Sequence, residues 1–233
     1  VLVNGRPAPG RQVMRPDTRL RMRIANLSPA RLIALAFSGA APTVISIDGQ
    51  PCESFQPDRN ILPAGPGARL DVILDLPREA GKSLSITMLS WPLPDRKTPP
   101  SQALYAFVTG GKPVKPRDPV KSLPPNPLLP ETIRLQDAQR LDLVLAASET
   151  KQAAAGQFWA INGRSARQAR ETPLLSVRRG QPVSLGFINR TPFPEVLRVH
   201  GHSFRLLHLL DDGWEPYWLD SVIIPPGKTS RIA

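Results

Sequence analysis

Short apolar runs in this chain alternate with polar residues at every second position, and Pro, Gly, Asn and Asp interrupt them before any run grows long. A period of two is that of a strand with one face buried. Arg19-Leu20-Arg21-Met22-Arg23-Ile24 shows it most plainly. Extended, it sets three arginines on one face and Leu20, Met22 and Ile24 on the other. Asn4-Gly5, Asp48-Gly49 and Asn162-Gly163 mark tight hairpins, because these residue types tolerate the positive φ that such turns demand. With 28 prolines and few aromatic residues, the pattern predicts an all-β chain with many turns.

The same series of elements occurs twice. Val3-Asn4-Gly5-Arg6 returns as Ile161-Asn162-Gly163-Arg164, and the strand that ends at Asn26 returns as the one that ends at Asn189. Pro63-Ala64-Gly65, followed by Arg69-Leu70, matches Pro225-Pro226-Gly227, followed by Arg231-Ile232. A duplicated sandwich is the economical reading, and 233 residues suffice for two domains. Between the copies, residues 110–130 hold Gly110-Gly111 and seven prolines, which cannot pair as a central strand. The expected organisation is therefore a domain over residues 1–110, a Pro-rich linker over 111–130 and a second domain over 131–233.

A net charge of +11 and a pI near 10.8 suit a polyanionic partner. The basic residues are spread along the chain, however, without interleaved aromatics or a nucleic-acid motif. The arginine face of residues 19–23 reads as the solvated outside of a sandwich, and no nucleic-acid partner is expected. No run approaches the roughly 18 apolar residues of a membrane helix, so no membrane span is expected. The single Cys52 excludes an intrachain disulfide framework and reads as a buried structural thiol. The sequence opens at Val1, inside a strand pattern and without a signal peptide, which is expected to be a processed or trimmed start.

The most distinctive stretch is the Asn189-Arg190-Thr191 turn that leads through Glu195-Val196-Leu197-Arg198-Val199 into His200-Gly201-His202-Ser203-Phe204. Together with Ile47-Asp48-Gly49-Gln50-Pro51 and Trp218-Leu219-Asp220-Ser221-Val222-Ile223-Ile224-Pro225-Pro226-Gly227, it resembles the multicopper oxidases over nearly the whole chain. The match is to the second and third cupredoxin domains of a laccase-like, three-domain member. The resemblance implies two cupredoxin-like Greek-key β-sandwich domains, the second incomplete at its C-terminal end. It also implies that this chain is a fragment whose partners are a missing cupredoxin domain and a C-terminal segment of the same protein. In the intact family copper is the cofactor, phenols or metal ions are oxidised as dioxygen is reduced, and the location is periplasmic or secreted. Self-association into a homo-oligomer stays open.

In that family the equivalent strand carries a type 1, a type 2 and a type 3 copper ligand in order, and the resemblance lays these on Glu195, Arg198 and His200. Only His200 is imidazole, and it is the one candidate metal residue. Guanidinium stays protonated and has donors only, so Arg198 offers copper no lone pair. A carboxylate at Glu195 is a harder ligand than imidazole. No copper is expected on this chain alone, no residue is assigned a catalytic or cofactor-binding role, and the isolated chain is expected to be inactive. Three readings follow: a multicopper-oxidase-type protein with a degenerate copper strand, a copper-free cupredoxin scaffold similar to the family's periplasmic cell-division member, or a basic binding module for an anionic partner. Glu195 and Arg198 are expected to contact each other or other protein groups, and a charge-assisted pair between them would fill the vacated space. The other reading of His200 is structural, as a half-buried strand histidine bonded to a backbone carbonyl. His200 and His202 share a face if the strand stays extended, and His208 reads as a core-edge residue. Trp214, Tyr217 and Trp218, after Asp211-Asp212, read as a loop lid or as a rim for a substrate or partner.

Overall fold

Alternation becomes strand at the expected places. The computed structural model describes residues 1–90, 100–147, 159–165, 173–208 and 213–233. The chain divides into two units, Val1–Asn126 and Pro127–Ala233, so the division falls inside the Pro-rich stretch.

In the first unit the strands are β1 (Leu2–Val3), β2 (Arg6–Pro7), β3 (Gly10–Met14), β4 (Arg19–Ala25), β5 (Ile33–Ser38), β6 (Thr43–Ile47), β7 (Gln50–Phe55), β8 (Ile61–Ala64), β9 (Arg69–Asp75), β10 (Ser83–Leu89) and β11 (Gln102–Thr109). Among the described residues they form a five-stranded sheet in the order β3-β11-β10-β5-β8, a four-stranded sheet in the order β4-β9-β6-β7 and the small β1-β2 hairpin. Leu70, Val72 and Leu74 on β9 and Leu84, Ile86 and Met88 on β10 are buried at alternate positions, and with Leu35, Phe37 and Val44 they make the core. Cys52 lies in this unit, buried, and burial pushes its thiol up to about 11, away from thiolate chemistry.

The arginine face of β4 is neutralised across the ladder. Arg19 makes a bidentate pair with Asp75, both bonds at 2.7 Å, and Arg21 and Arg23 reach Asp71 at 2.5 and 3.7 Å. These cross-strand pairs on β9 consume part of the positive charge on that face.

In the second unit the strands are β12 (Gln139–Ala147), β13 (Trp159–Ile161), β14 (Arg164–Ser165), β15 (Val183–Asn189), β16 (Glu195–Arg198), β17 (Phe204–Leu207), β18 (Trp214–Leu219), β19 (Ser221–Ile224) and β20 (Thr229–Ile232). Among the described residues they form a seven-stranded sheet in the order β14-β13-β12-β15-β20-β17-β18 and a β16-β19 pair. Leu143, Leu145, Phe187, Phe204, Val222, Ile224 and Ile232 are the core between them.

The internal repeat is a repeat in space. Asn4 and Gly5 turn β1 into β2, and Asn162 and Gly163 turn β13 into β14, with φ of 52° and 76° in the first and 50° and 74° in the second. A deeper match lies at the strand-end asparagines, both buried. Asn26 Nδ2 donates to the carbonyls of Arg31 (2.8 Å) and Ala64 (2.9 Å), and Asn189 Nδ2 donates to those of Phe193 (2.7 Å) and Ile224 (3.0 Å). Each side-chain oxygen accepts a backbone N–H two residues on, from Ser28 and Thr191. Each backbone carbonyl accepts a glycine N–H, from Gly67 and Gly227.

This corner corrects one part of the expected alignment. Gly67, rather than Gly65, is the counterpart of Gly227, and Arg69, rather than standing opposite Arg231, takes the place of Thr229: Ala25 pairs with Arg69 as Ile188 pairs with Thr229. The slip is two residues, one full period of a strand, so the alternation of apolar positions did not reveal it.

Candidate functional site

β16 is built by its register with β19, in which Glu195 faces Ile224 and Arg198 faces Ser221. Leu197, and Val199 just beyond the strand, pack on the core cluster. Glu195, two residues before Leu197, shares their inward face, while Arg198 and His200 are exposed.

Glu195 is half-buried, and its Oε1 accepts a hydrogen bond from Thr191 Oγ at 3.0 Å. Loss of hydration raises its pKa above the ordinary glutamate value, and the Thr191 bond offsets this in part. The sign follows directly. A carboxyl whose folded pKa is raised disfavours the folded state once it ionises, and the penalty disappears as pH falls below the ordinary glutamate range. Glu195→Gln keeps the acceptor for Thr191 and removes the charge. It should therefore raise the urea midpoint at pH 7.5, with the gain shrinking to nothing near pH 4; an equal gain at both pH values would show that charge is not the cause.

Arg198 does not pair with Glu195. Its Nη2 donates to Asp220 Oδ2 at 3.0 Å, and the Val199 N–H donates to the Asp220 carbonyl, also at 3.0 Å. Residues three apart on a strand point to opposite faces, so the expected pair is geometrically excluded, whereas Asp220 immediately precedes Arg198's ladder partner. Thr191 and Asp220 are the partners that sequence spacing did not identify.

The strand does not stay extended through the histidines either. His202 N–H donates to the Val199 carbonyl at 3.3 Å and Gly201 has φ of 81°, which makes Val199–His202 a turn. His200 is exposed at that turn, and its carbonyl lies 3.3 Å from Nδ1 of His202. His208 is exposed rather than at the core edge, with Nε2 3.7 Å from Glu215 Oε1. Trp214, Tyr217 and Trp218 lie on β18, a strand and not a loop, at the end of its sheet among the described residues; Asp211-Asp212 fall outside them. Arg205 on β17 stacks its guanidinium over Trp218 at 4.7 Å and near Trp214 at 5.9 Å, a cation–π arrangement that follows from the cross-strand pairing of Arg205 with Trp218. Among the described residues no group of three His, Cys, Asp or Glu side chains is placed to hold a metal ion.

Both units have the cupredoxin-like β-sandwich fold. Residues 133–233, nearly all of the second unit, match the sequence pattern of the multicopper oxidase family. A multicopper oxidase from Pseudomonas thermotolerans superposes over 98% of this chain and 51% of its own, with a TM-score of 0.78 and 20% identity. McoA from Aquifex aeolicus superposes over 99% and 51%, with a TM-score of 0.69 and 21% identity. A laccase-like CueO from an Ochrobactrum species gives 96%, 50%, 0.67 and 18%. Identities this low carry the fold alone, and the chain spans about half the length of these solved structures. No curated protein sequence matches the chain.

Proposed function

We propose that this chain is part of a multicopper-oxidase-type protein, periplasmic or secreted, whose copper strand has been converted to a protein-paired one, so that it serves as a copper-free cupredoxin scaffold. The observation that carries the reading is the Arg198–Asp220 pair at 3.0 Å, at the position where the family resemblance expects a type 2 ligand. A fixed guanidinium beside a copper ion is repelled by it, by about 4 kcal/mol for a unit pair at 4 Å and an effective dielectric near 20, and by more for a divalent ion. Glu195, tied to Thr191, offers a hard oxygen donor where a blue site takes imidazole. Glu195, Arg198 and His200 do not form a copper donor set.

A second reading has one observation in its favour. His200 keeps its imidazole at an exposed turn, open to ligands from another part of the full-length protein. The Ochrobactrum CueO is described as acting on lignin model compounds and lignosulfonate, and oxidation of phenols with reduction of dioxygen is the corresponding activity here.

Copper loading separates the two. The full-length protein, incubated with excess Cu(II) and dialysed, should retain substoichiometric copper, show no intense blue absorption and leave a phenolic dye unoxidised. A full copper complement with dye turnover would establish the oxidase and refute the scaffold.

A further inference from the structure

Residues 111–123 read Gly-Lys-Pro-Val-Lys-Pro-Arg-Asp-Pro-Val-Lys-Ser-Leu, which carries a period of three. Pro113, Pro116 and Pro119 mark one line, while Lys112, Lys115 and Lys121 occupy a second, with Asp118 in its remaining place. Val114, Val120 and Leu123, on the third line, are the residues of the segment that are partly covered; the others are exposed. Three residues per turn is the period of a polyproline II helix, whose rise of about 3.1 Å per residue puts successive lysines roughly 9 Å apart.

The first unit holds this strap by its backbone. Arg15 donates to the carbonyls of Lys112 (3.0 Å) and Pro113 (3.3 Å), Arg19 donates to that of Asp118 (2.6 Å), and the Val114 N–H donates to the Pro16 carbonyl (3.0 Å). Further along, Ser122 Oγ accepts the Ser54 N–H at 2.9 Å. Val114, Val120 and Leu123 are thereby turned inward, while the lysine line stays exposed, as does Arg117, which shares the valines' line. Lys112, Lys115, Arg117 and Lys121 have no carboxylate within ion-pair distance among the described residues, in contrast to the arginines of β4. Four cations stand against one strap carboxylate, Asp118. Of the nearby acids, Asp75 is engaged by Arg19 and Asp17 lies 3.9 Å from Arg78.

We propose that this strap is a docking rail for an anionic lipid surface. Basic segments of this size are attracted to anionic headgroups, and a pre-ordered backbone removes the entropy of fixing the charges in a row. An apolar side chain lies at the head of the rail: Val13 is 61% exposed, and its Cγ1 would lie 3.0 Å from a Cβ placed at Gly110. Charge with an exposed aliphatic group fits a bilayer interface. A single-stranded nucleic acid would call for aromatic stacking platforms, and residues 110–126 contain no aromatic residue.

The test is sedimentation of the full chain with vesicles of phosphatidylcholine, alone or mixed with phosphatidylglycerol, at low and high salt. Binding is expected only to the anionic vesicles and is lost at high salt. The triple variant Lys112→Gln, Lys115→Gln, Lys121→Gln should lower the partition coefficient by one to two orders of magnitude. The triple Lys→Arg variant should retain binding, which separates charge from folding. Val13→Ser should weaken vesicle binding and leave heparin binding unchanged. Failure to sediment, equal binding to uncharged vesicles, or an unaffected Gln variant would overturn the proposal. So would tight binding to heparin or to an oligonucleotide without vesicle binding, which would assign the rail to a soluble polyanion.

Discussion

Asn189→Ala is expected to lower the stability of the second unit by about 3 kcal/mol, because it breaks two buried hydrogen bonds to the backbone at once. The side chain is 1% exposed, donates to the carbonyls of Phe193 and Ile224, lies 3.3 Å from that of Pro225, and accepts the Thr191 N–H. Alanine removes the donor to the buried Ile224 carbonyl and the acceptor of the Thr191 N–H, each loss costing roughly 1–3 kcal/mol, whereas the Phe193 and Pro225 carbonyls keep the Thr191 hydroxyl and the Lys228 N–H. Asn26→Ala should do the same to the first unit through Arg31, Ala64 and Ser28. Hydrogen exchange resolved by unit is the measurement. Loss of protection confined to residues 127–233 for the first variant and to 1–126 for the second is the expected result; a cost under about 1 kcal/mol in urea melts would show that the corner is dispensable.

Gly39→Ala should destabilise far more than Gly201→Ala, although the two glycines are counterparts, each six residues past a strand residue that faces the corner carbonyl (Ile33 opposite Ala64, Glu195 opposite Ile224), and both have positive φ, 91° and 81°. At Gly201 nothing lies within 4 Å of an added Cβ, so the cost is that of the left-handed conformation, about 1 kcal/mol. At Gly39 the added carbon would run into the carbonyl oxygen of Ser83, and backbone on a central strand does not yield as a flexible side chain does. A loss of about 3 kcal/mol or more is expected, in the range of other severe core changes. The contrast arises because β10 lies directly against β5 in the first unit, whereas among the described residues β16 pairs with β19 alone. Equal costs at the two positions would refute this account.

The fold was legible in the sequence wherever a signal was local. Asn4-Gly5, Asp48-Gly49 and Asn162-Gly163 all form the hairpins expected of them, and the Arg19–Ile24 alternation is the observed two-faced strand. The partners of the candidate site were not legible, because they are chosen across strands. Arg198 meets Asp220, 22 residues away, through the β16–β19 register, and the Glu195 pairing proposed from nearness in sequence runs against the alternation of a strand. Arg205 meets Trp218 for the same reason. The turn at Gly201 was concealed by reading His200-Gly201-His202 as extended, although a glycine between two polar residues is itself a turn signal. Misplacing Gly227 against Gly65 had a different origin: prolines and glycines recur within a few residues there, and the Asn26 and Asn189 hydrogen bonds, with the strand register beside them, distinguish the copies.

The matched asparagine corners have a further consequence for how such a protein can change over time. Corner, core and hairpins are built from side chains and backbone other than the exposed residues 198 and 200, so folding bears on half-buried Glu195 but puts little pressure on what occupies those two positions. Histidine there is a matter of selection for chemistry alone. Once that selection relaxes, the positions are free to drift toward ordinary surface pairs such as Arg198–Asp220 without any loss of the sandwich. The same independence makes the unit a tolerant chassis, one in which an imidazole can be introduced at exposed position 198 while the architecture around it stays intact.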